Sequence, residues 1–219
     1  MIKSHSQSQS ALYQQLFGLS PTRADQKKLE IIKAALLVIH QSGFASLSFG
    51  TVAKVLKMKA PHIVYYFPSM EALLQMVIRY VTITAQETTI RLLKEARSPR
   101  EQLVAFVRGS FDHVRENPPH KSAIAAFYLE CVRLKEFQLL HKQIRKMGAE
   151  RVQAILASQH PHMAKRDLAF LSSAIQALIT GYLVEGITTG QSTSNMEHLL
   201  IKTMKTIERL VESVSKGKI

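Results

Sequence analysis

Between Gly43 and Pro68 two stretches of about seven residues stand three or four residues apart, each too short to hold a helix alone. Short helices joined by so tight a turn persist only when they pack on one another and on longer neighbours. The neighbours can be read directly. Leu29, Ile32, Leu36 and Ile39 recur at spacings of three and four within 25–41, one face of an amphipathic helix, and Gly43 supplies its stop. Downstream, Ser69 caps a helix that turns Leu73, Leu74, Val77 and Ile78 inward. The first short segment, 49–55, starts at Ser48, a natural N-cap. The second, about 60–66, carries Pro61 in its first turn, where a missing N–H costs little, and Pro68 ends it.

This order is that of a helix-turn-helix, whose second helix can enter the major groove of duplex DNA. Val52, Ala53, Ile63 and Phe67 then pack inward and set the angle between the short helices. Lys57, Lys59, His62, Tyr65 and Tyr66 are left outward. Lysines answer phosphates, while His and Tyr tips reach phosphates or base edges. Two of these have bland readings as well: His62 as solvated surface, and one tyrosine as packing. Tyr66 is the better placed to cover the helix junction and Tyr65 to face DNA. The formal net charge is +13, and residues 1–68 hold eight Lys or Arg against two acids. That balance favours a polyanionic partner, either nucleic acid or an anionic membrane surface.

Elsewhere the chain divides at prolines. Residues 1–24, rich in Ser and Gln, read as a flexible N-terminal arm. Breaks at Pro99, at Pro118-Pro119 and at His160-Pro161-His162 leave helices near 69–96, 100–117, 120–133, 135–158, 165–189 and 194–215. No convincing apolar alternation marks a strand. The expected class is all-α, about nine helices: a three-helix helix-turn-helix DNA-binding domain over 25–70, then a larger helical domain over 71–219. No run of about 18 uncharged apolar residues occurs, so no membrane span is expected. The single cysteine, Cys131, lies in an apolar helix and reads as an inert thiol, and a cytoplasmic location is expected.

The stretch 35–78, ALLVIHQSGFASLSFGTVAKVLKMKAPHIVYYFPSMEALLQMVI, resembles the tetracycline-repressor (TetR) family of transcriptional regulators. The features that carry it are Gly43-Phe44, Ser48, Val52-Ala53, Tyr66-Phe67 and the block Ser69-x-Glu71-x-Leu73-Leu74. The chain departs from the family in three places. Leu56-Lys57-Met58 replaces alanine-glycine-hydrophobic in the turn, which is tolerable if Lys57 adopts a left-handed or wider turn, at a modest strain cost. Val64 stands where a tyrosine is usual, and Met70 where a phosphate-touching lysine is common. The resemblance implies double-stranded operator DNA as partner, met by Ser48, Lys57, Lys59, Ala60, Pro61, His62, Tyr65 and Tyr66.

In the larger domain, Leu171, Ile175, Leu178 and Tyr182, with Leu200, Ile207, Leu210 and Val214, repeat at spacings near three and four. These stripes form either a four-helix interface with a second copy or the core of one copy. The resemblance favours a homodimer, which would set two recognition helices roughly 34–36 Å apart. Phe106, Phe111, His113, Phe127, Cys131 and Gln176 are candidates for a small-molecule effector pocket, or ordinary core. The expected function is a sequence-specific DNA-binding regulator, a repressor released from a palindromic operator by a small apolar ligand. Nothing in the chain forms a phosphate loop, a Gly-x-Ser-x-Gly elbow or a His-Glu-x-x-His pair, so no enzyme, cofactor or metal is expected.

Overall fold

The computed structural model describes residues 12–18, 22–190 and 193–217, and among them contains helices and no strand. The helices are α1 (residues 12–17), α2 (Arg23–Ser42), α3 (Phe49–Val55), α4 (Ala60–Tyr66), α5 (Met70–Glu95), α6 (Pro99–Glu116), α7 (Pro118–Cys131), α8 (Lys135–Gln159), α9 (Lys165–Thr188) and α10 (Thr193–Ser215). All nine expected helices are present, with ends within two residues of expectation, and α1 is a tenth.

α2 starts earlier than its apolar stripe because Thr22 and Asp25 form a capping box. Thr22 Oγ1 accepts from the Asp25 N–H at 3.1 Å, and the Asp25 carboxylate accepts from the Thr22 N–H at 3.2 Å. The hydrogen bond from the Thr22 hydroxyl holds the Asp25 carboxyl below the usual carboxylate range, against its desolvation. Part of the arm expected to be flexible is ordered. In α1, Tyr13 and Leu16 are buried with Leu29 and Ile83, flanked by Phe17 and Tyr80. The Lys28 ammonium lies 5.5 Å from the centre of the Phe17 ring. The Ser- and Gln-rich surroundings hid four closely spaced apolar groups large enough to dock a single turn and a half. Residues 1–11 and 19–21 of that arm lie outside the described residues.

Contacts separate the described chain into two compact units, one up to residue 84 with 117–130, the other 85–116 with 131 onward. Most of α7, expected in the larger domain, therefore packs with the helix-turn-helix. His40 Nδ1 sits 3.1 Å from Ser122 Oγ, tying α2 to α7. The His120 ring meets the Tyr80 ring edge-on at 5.5 Å, tying α7 to α5. Burial of His120 pushes its pKa down to about 4.

In the second unit α6, α8, α9 and α10 pack together around Phe111, Phe137, Leu156, Leu171, Ile175 and Ile207. Glu197, near the start of α10, accepts from Arg108 at 3.0 Å and Arg115 at 3.4 Å on α6. This packing corrects the interface expectation. Leu171, Ile175, Leu200, Ile207 and Val214 are all buried within the single chain. A three-and-four spacing records that a face is packed, not what it is packed against. Leu178, Tyr182 and Leu210 instead line an open groove of about 650 Å³, along with Ala174, Ala177 and Gly181. By length and composition alone α9 is apolar enough to cross a membrane, but Leu168, Leu171, Ile175 and Ile179 along it are buried within its own unit, as in the core helix of a folded domain.

Candidate nucleic-acid interface

The site is built from α3, the turn 56–59 and α4. Ser48 caps α3: its Oγ accepts from the Thr51 N–H at 3.1 Å, and Thr51 Oγ1 accepts from the Ser48 N–H at 2.9 Å. The helix closes by a Schellman arrangement. Met58 N–H reaches back to the Ala53 carbonyl at 2.9 Å and Lys57 N–H to that of Lys54 at 3.2 Å. This closure demands a left-handed residue at 57, where glycine would be strain-free. Lys57 supplies it with φ +53°, the one positive φ outside glycine among the described residues. Of the left-handed and the wider turn that the missing glycine left open, the left-handed one is observed.

Lys59 then serves as N-cap of α4 through its backbone alone, with no side-chain capping bond, so its ammonium extends outward. The inner side of the motif is apolar as expected, with Val52, Ala53, Ile63 and Phe67 all buried. Because Ile63 and Phe67 set the roll of α4, the opposite side carries Pro61, His62, Val64 and Tyr65 into solvent. Tyr65 is 83% exposed, and its ring stands edge-on to the half-buried Tyr66 at 5.1 Å. Tyr66 thus packs nearer the junction and braces the exposed Tyr65 ring. Ala60 is half-buried, while Ser48, Lys57 and Lys59 are exposed. The Ser48 hydroxyl is already committed to Thr51 at 3.0 Å.

The electrostatics favour an anion. No carboxylate occurs from residue 31 to residue 70, so the surface holds Lys33, Lys54, Lys57 and Lys59 without a compensating charge of its own. Among the described residues no acid lies within ion-pair distance of Lys57, Lys59 or His62. This forty-residue gap was visible in the sequence and is more telling than the net charge, because it locates the excess. Val64, 43% exposed beside Tyr65 on α4, is a surface residue that sequence reasoning did not count among the contacts.

The six pocket candidates fare differently. Phe106, Phe111, His113 and Phe127 are buried, and Cys131 and Gln176 are half-buried. Phe127 belongs to the first unit and the other five to the second. None of the six lines the groove on α9 and α10, nor a second cavity of about 510 Å³ bounded by Leu103, Gln159, Met204 and Val211. Cys131 Sγ donates to the Phe137 carbonyl at 3.5 Å, and burial raises its thiol pKa, which disfavours the thiolate. No group of three or more His, Cys, Asp or Glu is placed to hold a metal among the described residues.

Residues 31–77 match the family described as bacterial regulatory proteins, tetR family. The chain is 28% identical over 167 residues to the HTH-type transcriptional regulator BetI of Paraburkholderia xenovorans, covering 75% of this chain and 84% of that one. It is 26% identical over 188 residues to BetI of Pseudomonas aeruginosa, covering 84% and 91%. In fold it is similar to a TetR transcription regulator from Haloarcula marismortui, with TM-score 0.73 at 15% identity over 86% of this chain and 97% of that one. A regulator from Saccharomonospora viridis, solved in complex with choline, gives TM-score 0.71 at 19% identity over 82% and 96%. These relatives are regulators rather than enzymes. The capped helix-turn-helix lies within the residues that match the tetR family model, and the helical fold around it is similar to that of TetR regulators.

Proposed function

We propose that the chain is a homodimeric repressor that holds a palindromic operator in the cytoplasm and releases it on binding a small apolar molecule. The observation that carries the reading is the carboxylate-free surface of the motif, which offers Lys57, Lys59, His62 and Tyr65 to a polyanion. Ser48, Ala60, Pro61 and Tyr66 complete the DNA-facing set. Homodimerisation is supported by the open apolar groove on α9 and α10. A two-fold dimer turns one recognition helix into two, and an inverted repeat is the DNA that matches it.

Release by a ligand is supported by the aromatic content of the helical body. A protein of this fold from Saccharomonospora viridis was solved with choline, and the multidrug-binding protein EbrR with imidazole. For a ligand to release DNA it must bind the DNA-incompetent arrangement more tightly than the competent one.

The test is binding of the purified chain to duplexes enriched from a random pool, followed over rising salt. A regulator keeps a gap of about a thousandfold or more between enriched and random duplex, and the enriched sequence is an inverted repeat. Equal affinity for enriched and random duplex would end the reading. A single asymmetric half-site would end its dimeric part.

A further inference from the structure

The outer face of α4 lacks the side chains that read bases by paired hydrogen bonds. Guanine is read by Arg or Lys, and adenine by Asn or Gln. Residues 60–66 are Ala, Pro, His, Ile, Val, Tyr and Tyr, with none of these four types. The motif's lysines, Lys57 and Lys59, sit in the turn before the helix, where they suit phosphates rather than base edges. On the exposed side of α4, beside Tyr65, stand instead Pro61 and Val64, three residues apart on the helix surface, with Val64 43% exposed. A β-branched residue at an exposed helical position gains nothing from propensity, and a large part of Val64 is left in solvent by its own fold. It does present two methyl groups on a stiff stem, and Pro61 adds the apolar edge of its ring. The one apolar group that a base pair displays in the major groove is the thymine C5-methyl.

We propose that Val64, with Pro61 beside it, is a specificity-determining residue that packs on a thymine methyl, so that each half-site carries a thymine there and no guanine read by α4. The inference rests on the DNA-binding reading of α4 argued above and adds to it a base preference. His62 and the Tyr65 tip remain as the hydrogen-bonding groups of the face. They stand beside the apolar pair and do not replace it.

The test removes one methyl at a time. The full chain is used to enrich duplexes from a random pool. The winning duplex is then remade with each thymine replaced singly by deoxyuridine, which pairs identically and lacks only the methyl. One thymine per half-site is expected at which the swap weakens binding about fourfold, the worth of one buried methyl-sized group. Val64→Ala should shrink that penalty to less than about twofold at the same position. Val64→Ile, which keeps the branched surface, should retain the penalty. If enriched duplex is bound well but no uracil swap matters, or Val64→Ala leaves the penalty intact, the inference fails while the DNA-binding reading stands. If nothing is enriched, both fail.

Discussion

At the scale of single residues, Lys57 serves two demands that conflict. Its backbone occupies the left-handed region with φ +53°, which costs a side-chain-bearing residue about 1–2 kcal/mol. Its ammonium is one of the uncompensated charges beside the recognition helix. Lys57→Gly separates the two. The strain is relieved, part of the gain is lost to the freer unfolded chain, and the variant should be more stable by about 0.5–1 kcal/mol in urea unfolding. The same variant should bind duplex more weakly, with the slope of log affinity against log salt reduced by about 1. A stability loss would show that the Schellman closure is not strained, and an unchanged slope would show that Lys57 meets no phosphate. This residue was legible from the sequence because its neighbours required a turn whose usual glycine was missing. Val64 was less legible: its exposure depends on how far α4 is rolled, and that is set by Ile63 and Phe67 seating in the core.

Among the elements, helix positions followed from spacing, caps and prolines, whereas the partner of each face did not. α9 shows why. Its buried Leu171 and Ile175 and its exposed Ala177 and Gly181 lie on opposite sides, and a sequence of small and apolar residues all round marks neither side as inward. Close approach of helices is equally silent until coordinates are seen. A Cβ on Gly109 of α6 would lie 2.5 Å from Thr89 Oγ1 and 2.8 Å from Thr89 Cα on α5. Gly109→Ala should therefore destabilise the protein by about 1–3 kcal/mol in urea unfolding, and adding Thr89→Ala should restore only part, because the backbone contact remains. Full recovery in the double variant would place the whole clash on the hydroxyl.

The joint between α7 and α5 carries a pH dependence. His120 has a pKa near 4 in the fold and about 6.5 in the unfolded chain. The unfolded state therefore takes up a proton first as pH falls. Stability from this group is complete above pH 6.5, declines between 6.5 and 4, and can fall by up to about 3 kcal/mol. Urea midpoints at pH 7.5 and 4.5 should differ in this direction, and His120→Gln should flatten the difference. Asp25, whose pKa is lowered, adds its own loss only at more acidic pH. A wild-type midpoint constant from 7.5 to 4.5 would mean that His120 is solvated.

For the whole molecule the open question is what covers the outer side of α9. One unit leaves an apolar helix only partly buried, with a groove that Ala174, Ala177, Gly181 and Leu210 line. Such a surface is held by lipid or by protein. On the homodimeric reading proposed above, a second copy is that occupant, and it would give one α4 to each half-site of an inverted repeat. Ala177→Glu places a charge in the groove at a position the single chain leaves exposed, so its own fold is spared. By contrast, Ile175→Glu would bury a carboxylate in the core and unfold the unit, which makes it useless as a probe. Light scattering should give twice 24.6 kDa for the unmutated chain and 24.6 kDa for Ala177→Glu, with helical circular dichroism unchanged. Linking two half-sites raises affinity by at least about a hundredfold, so the monomer should lose that factor on a two-half-site duplex and nothing on a single half-site. An unmutated chain that stays at one copy, or an Ala177→Glu variant that still pairs, would move the interface elsewhere and leave the groove to another occupant.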